Sequence, residues 1–390
     1  MVVLDVVARR FTPTFSETTG CPRRATGRSC ATGIEHRTLG GRPMTWRTTI
    51  SPFLTAVGRG VLRSTYGHGR SIAVGLALAG GFSGCGGSTN DVEMSAAAEN
   101  YLDEMLDLMQ QHSVNRQKID WTSFRNSVFH AGADATNVAD LSRDAIPTAL
   151  RLLGDHASFY TAADGSQVMN PDPLSCTDPP APVVTAPPGV GYVAVAPCGR
   201  GQGEGQACAD AMYQQFAGQD SRDLAGWIVD LRHTAGGNMY GMIGGLVTLL
   251  GDGEFGSFVD VDRKNVQYWG YHQGQVTAAG YPYLSASALR LIRPDPKVAV
   301  LTDCSVAGGG GEAVAISFRG RPLTRSFGTP TYGQTVARRS YTLSDGGSLV
   351  LVASTMADRT ETLYGGPIVP DELVRDPAQA AERAIAWLRE

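Results

Sequence analysis

The sequence lacks several patterns that identify common functional classes. Its seven cysteines and seven histidines form neither a Cys-x-x-Cys pair nor a His-rich cluster, which argues against a zinc site. None of its glycine runs continues into Gly-Lys-Ser or Gly-Lys-Thr, so it has no Walker A loop for a nucleotide. Lysine is absent before Cys85, and residues 85–390 hold 22 basic and 34 acidic residues, a net charge of −12. This acidic balance argues against nucleic acid as a partner.

Residues 59–85 have the order of a secretory signal. Three arginines precede an apolar run from Ile72 to Ala79, and small residues then lead to Cys85. The apolar run is too short to span a bilayer, and the alternatives are a core helix or a transit peptide. The ending Phe-Ser-Gly-Cys resembles a bacterial lipobox, which implies cleavage before Cys85 and lipidation of its thiol. We therefore expect an exported, lipid-anchored protein of the cell envelope, with residues 1–58 as a leader that reflects a start codon assigned too early.

Four further cysteines are available for disulfides in an oxidising compartment, namely Cys176, Cys198, Cys208 and Cys304. They allow three sets of pairings. The loop between Cys198 and Cys208 is the easiest to close.

The rest of the chain divides into a helical and a mixed part. With 42% hydrophobic residues the chain can bury a large core. Residues 91–169 are predicted to be a small helical region, and a Pro-rich connector over 170–189 cannot hold a regular element. Strands then alternate with helices over 190–390, which predicts an α/β domain of about 200 residues. The three helices predicted in the first part span 96–112, start near 120–122, and run from 137 or 140 to about 154.

Segments in a fixed order resemble peptidase family S41, the C-terminal processing or tail-specific proteases. They are LGDHASF at 153–159, GWIVDLRHTAGGN at 226–238, VAVLTDCSVAGGGGEAVAI at 298–316, and RSFGTPTYGQT at 325–335, followed by LSDGGSLVL and PIVPDE. The resemblance implies a ClpP/crotonase-like spiral core of strand-strand-helix units behind the helical region. It also implies a serine-type endopeptidase that acts on C-terminal segments of proteins and uses no metal or other cofactor.

The nucleophile position of the family is glycine in this chain. The family's serine lies three residues before the glutamate of its helix, and counting back from Glu312 gives Gly309; counting forward from Asp303 gives Gly308. A glycine has no side chain to attack a carbonyl. The nearest hydroxyl is that of Ser305, which is an alternative nucleophile only if the loop is displaced.

The base of the family is also replaced. Gln334 stands where many members have lysine, and glutamine has no basic nitrogen. Relatives of the tricorn type use a histidine instead, which maps to His156, a candidate general base or a residue that only caps a loop. Those relatives also have a helping glutamate, and the positions near it in this sequence are Asp358, Glu361 and Tyr364. The alternative is that these three are ordinary surface residues.

The oxyanion hole of the family uses backbone donors, which survive side-chain changes. The resemblance places them at Gly236 or Gly237 and at Gly310, with Thr234 in place of the usual asparagine. The glycine run before Glu312 is also a candidate anion site, for example for a peptide carboxylate, because helix N-termini expose N–H groups.

Two functions follow from these observations. One is an S41 hydrolase with an unconventional nucleophile, and the other is a catalytically inactive pseudopeptidase that binds peptides. In both, the partner is an unstructured protein or peptide, and the membrane is reached through the lipid anchor. An acyl-CoA enzyme of the related crotonase fold is disfavoured for an exported chain. The sequence makes no prediction of the oligomeric state.

Overall fold

A computed structural model describes residues 93–390 apart from Ala217. The predicted leader, the signal segment and Cys85 lie outside the described residues. The helices are Ala96–His112 (α1), Trp121–Ala131 (α2), Ala145–Leu153 (α3), Gln202–Phe216 (α4), Met239–Leu250 (α5), Gly308–Phe318 (α6) and Pro377–Arg389 (α7), with a 3₁₀ helix at Val138–Ser142.

The strands are Phe159–Thr161 (β1), Gln167–Met169 (β2), Val190–Ala194 (β3), Gly226–Asp230 (β4), Gly253–Asp260 (β5), Val266–His272 (β6), Gln275–Ala278 (β7), Tyr281–Ser285 (β8), Val298–Thr302 (β9), Thr324–Gly328 (β10), Val336–Thr342 (β11), Ser348–Asp358 (β12) and Glu372–Leu373 (β13). None of the helices in this part of the chain has the length and apolar character that a bilayer span requires.

The helical N-terminal region forms as the apolar spacing predicts, with one correction. Ser95 caps α1, and Asp120 caps α2 by accepting from two backbone N–H groups. The predicted third helix is divided into the 3₁₀ helix and α3. Pro147 explains the break, because a proline clashes with the carbonyl four residues before it and is tolerated only in the first turn of a helix. Starting α3 at Ala145 places Pro147 in that first turn.

A parallel sheet carries the strands that the sequence predicted most clearly. Its order is β13-β10-β9-β4-β3, and all these neighbours are parallel. Both central strands, β4 and β9, are buried along their whole length. Helix α7 covers one face through Ala381, Ala384 and Leu388, and the main core containing α4, α5 and α6 covers the other. This double cover is typical of parallel sheets.

An antiparallel sheet packs beside the parallel one and connects the helical region to it. Its path is β2-β1-β12-β5-β6-β7-β8, with β11 also paired to β12, as the predicted hairpin requires. Side chains of α1 and α3 share a core with Leu349 and Leu351 of β12. The helical region is therefore anchored on β12, close to the loops that follow the parallel strands.

Candidate functional site

The segments with the family motifs meet at the carboxyl edge of the parallel sheet. Loops 231–238, 303–307 and 329–335 follow β4, β9 and β10, which are adjacent in the sheet. Loops at the carboxyl ends of parallel strands share one edge and commonly form binding sites. Topology therefore places the predicted oxyanion, nucleophile and base segments side by side.

Small residues allow the start of α6 to pack directly on the loop after β4. A Cβ on Gly310 would lie 2.6 Å from the carbonyl carbon and oxygen of Gly236, and one on Gly311 would lie 2.4 Å from the Thr234 oxygen. Ala307 donates its N–H to that same Thr234 oxygen over 3.1 Å. Only glycine permits this approach, because a side chain would overlap backbone atoms.

The predicted oxyanion residues are thus brought together. Gly236 and Gly237 both have positive φ, at 82° and 105°. Gly236 donates to the Thr234 oxygen within the turn, whereas the N–H of Gly237 has no acceptor in the described part of the chain. Gly237 with Gly310 is therefore the better donor pair. The Thr234 hydroxyl donates to the Val195 oxygen over 2.6 Å and so orients this loop.

Glu312 fastens the base loop to the start of α6. Its buried carboxylate accepts from the Thr331 hydroxyl (2.6 Å) and from the N–H groups of Gly333 (2.7 Å), Gln334 (2.8 Å) and Gly308 (3.0 Å). Burial raises the pKa of Glu312 to about 7, and these hydrogen bonds oppose the rise. In the sequence Glu312 is visible only as the glutamate at the start of a helix, and its bonds to the base loop were not predicted. Because the N–H of Gly308 donates to Glu312, the predicted anion site has one donor fewer.

Gln334 faces the nucleophile segment. A Cβ built on Gly308 would lie 3.8 Å from the Gln334 Oε1. Gly308 has a φ of +62°, and Gly309 follows it in the first turn of α6. The segment that should carry the nucleophile and the residue that should be the base are therefore adjacent, but they provide neither a hydroxyl nor a basic nitrogen.

Ser305 is engaged in its own loop. Its hydroxyl donates to Asp303 over 2.5 Å and accepts from the His233 N–H over 2.7 Å. These bonds disfavour the alternative in which Ser305 attacks a substrate. Asp358 is similarly engaged, since its carboxylate accepts from Thr360, Thr362 and Tyr364 in a turn.

His156 lies on a cleft of about 600 Å³ that reaches the base loop. Gly333, the neighbour of Gln334, lines the same cleft. The imidazole is exposed, and its Nδ1 lies 2.7 Å from the carbonyl oxygen of Asp172. A ring that donates from Nδ1 leaves Nε2 free to accept a proton. His156 thus lies on the same cleft as the base loop, and within the described residues no hydrogen bond joins it to Gln334 or Gly308.

Disulfides border the site on both sides. Cys198 pairs with Cys208 as the shortest loop suggested, and Cys176 pairs with Cys304. The carbonyl of Cys198 accepts from the Asn238 N–H beside Gly237. Cys304 lies in the loop that leads into α6. Both covalent links therefore restrain loops of the candidate site.

Comparison with known proteins supports the resemblance to peptidase family S41. Residues 189–374 match the family model described as Peptidase family S41. The chain is 33% identical over 167 residues to the nisin-resistance protein of Lactococcus lactis subsp. lactis, an alignment that covers 42% of this chain and 50% of the relative. The chain thus spans about half the length of the curated relative that it matches.

Solved structures are similar in fold. A lipoprotein from Streptococcus agalactiae gives a TM-score of 0.53 at 20% identity over 75% of this chain and 97% of that one. A candidate peptidase from Parabacteroides merdae ATCC 43184 gives 0.51 at 16% identity over 76% and 98%. At these identities the likeness concerns the fold alone. The mixed α/β fold class with a small helical N-terminal region is confirmed.

Proposed function

We propose that the domain that matches peptidase family S41, residues 189–374, binds peptide segments without hydrolysing them by serine chemistry. The observation that carries the proposal is that the nucleophile position holds glycine at 308 and 309 and the base position holds Gln334, whose Oε1 would lie 3.8 Å from a Cβ on Gly308. Acyl transfer needs a nucleophile and a base, and this position supplies neither. The alternative nucleophile Ser305 is held by Asp303.

The binding elements of the site are retained. The turn with Gly237 packs against Gly310, and Glu312 holds the base loop in place. The adjoining cleft of about 600 Å³ is large enough for several residues of an extended peptide. Retained backbone donors can hold a peptide carbonyl even when no bond is broken.

A second candidate function rests on His156. Its Nδ1 bonds to the Asp172 carbonyl, which leaves Nε2 available as a base. The nucleophile that this base activates would have to come from somewhere other than positions 308 and 309. Under this alternative the protein is a working peptidase. Cleavage by the unchanged protein that is lost in His156→Ala would establish it.

Restoring the missing groups tests the first proposal. The protein, Gly309→Ser, and Gly309→Ser combined with Gln334→Lys are incubated with an unstructured protein, and the products are identified by mass spectrometry. Gly203→Ser is the matched control, because a side chain there meets open space. We expect no cleavage by the unchanged protein or the control, and cleavage by the double variant. Cleavage by the unchanged protein would refute the proposal.

Binding is measured separately by fluorescence anisotropy with labelled peptides. Nisin is included because the relative in L. lactis is a nisin-resistance protein. The proposal requires at least one peptide to bind the unchanged protein. Failure of every peptide to bind, together with absence of cleavage, would leave no function for the cleft and would refute both candidates.

We also infer that the protein is exported and held in the cell envelope by a lipid at Cys85. The lipobox-like sequence, the paired cysteines and the likeness to a streptococcal lipoprotein support this inference. Cell fractionation of the unchanged protein and of Cys85→Ser tests it. The unchanged protein should sediment with membranes and the variant should not; equal distribution would contradict a lipid anchor.

A further inference from the structure

The Pro-rich connector contacts the loops of the candidate site over residues 172–182. Residues 170–189 contain neither helix nor strand. Several of these residues nevertheless bond to His156 or to the loops after β4, β9 and β10. They are Asp172, Leu174, Cys176, Asp178, Ala181 and Pro182. The connector is thus attached to the site at regular intervals, which its composition did not predict.

Residues 174 and 181 of the connector bond to two different loops of the site. Near its start, the Leu174 oxygen accepts from the Tyr332 hydroxyl in the base loop. Seven residues further on, the Ala181 oxygen lies 3.1 Å from the His233 Nε2 in the oxyanion loop. Because these loops belong to different strands, a single segment that bonds to both restrains their separation.

The middle of the connector is fixed to the nucleophile loop. The Asp178 carboxylate accepts from the Cys304 N–H over 3.2 Å and from the Thr329 hydroxyl. Beside these bonds, Cys176 is linked to Cys304 by a disulfide. Cys304 lies four residues before Gly308, so this attachment acts directly on the start of α6.

The two disulfides differ in their exposure. Cys176 is exposed and its partner Cys304 is half-buried, whereas Cys198 is only 5% exposed and its partner Cys208 is half-buried, so only the first disulfide has an exposed cysteine. Thiol–disulfide exchange requires access of a thiolate to one sulfur. A small reductant should therefore open the disulfide between Cys176 and Cys304 first.

We propose that residues 172–182 are a positioning segment of the peptide-binding site, and that the disulfide between Cys176 and Cys304 determines whether the site is assembled. This inference rests on the proposed peptide binding. When the disulfide forms, the two thiols give up two protons and two electrons to a disulfide oxidant, which becomes a dithiol. Such oxidants act in compartments outside the cytosol, whereas cytosolic thiols stay reduced. The site is consequently assembled only after export.

A graded reduction of the full-length protein tests the proposal. Dithiothreitol is increased stepwise, free thiols are alkylated, and mass spectrometry identifies the cysteines. At each step, hydrogen exchange is measured for the N–H groups that join the loops, Tyr332 to Val306 and Ala307 to Thr234. Exchange at these positions should rise with alkylation of Cys176 and Cys304. Exchange in β12 should rise by a smaller factor than exchange in the loops, whereas a general loss of stability would raise both by the same factor.

Peptide affinity is followed in the same samples by anisotropy. Loss of the restraint should weaken binding about tenfold, because ordering the loops then takes free energy that would otherwise contribute to peptide affinity. Asp178→Asn should weaken it less, with the disulfide intact. Asp140→Asn is the matched control, because that carboxylate also accepts from a backbone N–H and a threonine hydroxyl but lies in the helical region.

The outcomes separate the inference from the proposed function. If Cys198 and Cys208 are alkylated first, or if exchange in the loops does not change on reduction, the inference is wrong even though peptides bind. Equal affinity of oxidised and reduced protein has the same meaning. If the loops loosen as expected but no peptide binds in either state, the positioning of the loops stands and the proposed function fails.

Discussion

A single methyl group on Gly310 tests the packing on which the candidate site depends. In Gly310→Ala the new carbon would lie 2.6 Å from the carbonyl of Gly236 and 2.9 Å from that of Gly237. Both neighbours are backbone atoms, so no side chain can rotate away. Overpacking of this kind costs about 1 to 3 kcal/mol or more, and the better helix propensity of alanine returns at most about 1 kcal/mol.

The matched control is Gly203→Ala in α4, where the added carbon meets nothing within 4 Å. This change should be neutral or stabilise the protein by up to about 1 kcal/mol. Free energies of unfolding are measured by urea denaturation, and we expect the two variants to differ by about 2 kcal/mol or more. Gly310→Ala should also weaken peptide binding, because the methyl group displaces the turn that carries Gly237. If Gly310→Ala is as harmless as Gly203→Ala in both assays, helix α6 and the oxyanion turn are not packed as described.

Further predictions concern stability. In the chain-entropy model the stabilisation by a disulfide grows with the length of the loop that it closes, and the sequence separations here are 128 for Cys176–Cys304 and 10 for Cys198–Cys208. Replacing the first pair by serine should therefore cost about 5 kcal/mol and replacing the second about 3 kcal/mol. Urea denaturation should show this order, and the reverse order would contradict the chain-entropy account. Since burial raises the pKa of Glu312 to about 7 from an ordinary value of 4.5, its contribution to stability is complete below pH 4.5 and is lost as the pH rises through 7. The loss amounts to about 3 kcal/mol and should be absent in Glu312→Gln; equal pH dependence of both proteins would show that Glu312 does not titrate in this range.

The sequence predicted the elements whose patterns are local. Helix α1 and the strands β4 and β9 lie where apolar spacing and buried runs place them, because side-chain periodicity decides which face of an element is buried. The motifs also predicted which glycines would meet, since Gly236 and Gly237 follow β4 and Gly310 begins the helix after β9, at the edge that these neighbouring strands share. The meander from β5 to β8 had no such local signal and was missed.

Tertiary structure decided how those elements are held together. Spacing left three sets of disulfide pairings open, and only the approach of the connector to the loop after β9 brings Cys176 to Cys304. A glutamate at position 312 has no distinguishing pattern in the sequence, and its function depends on backbone N–H groups of Gly333 and Gln334, which belong to a distant loop, and of Gly308 in its own helix. A sequence specifies which groups can donate, accept or stay small. Which of them meet depends on contacts between residues far apart in the chain, and these form only when the sheets and helices pack.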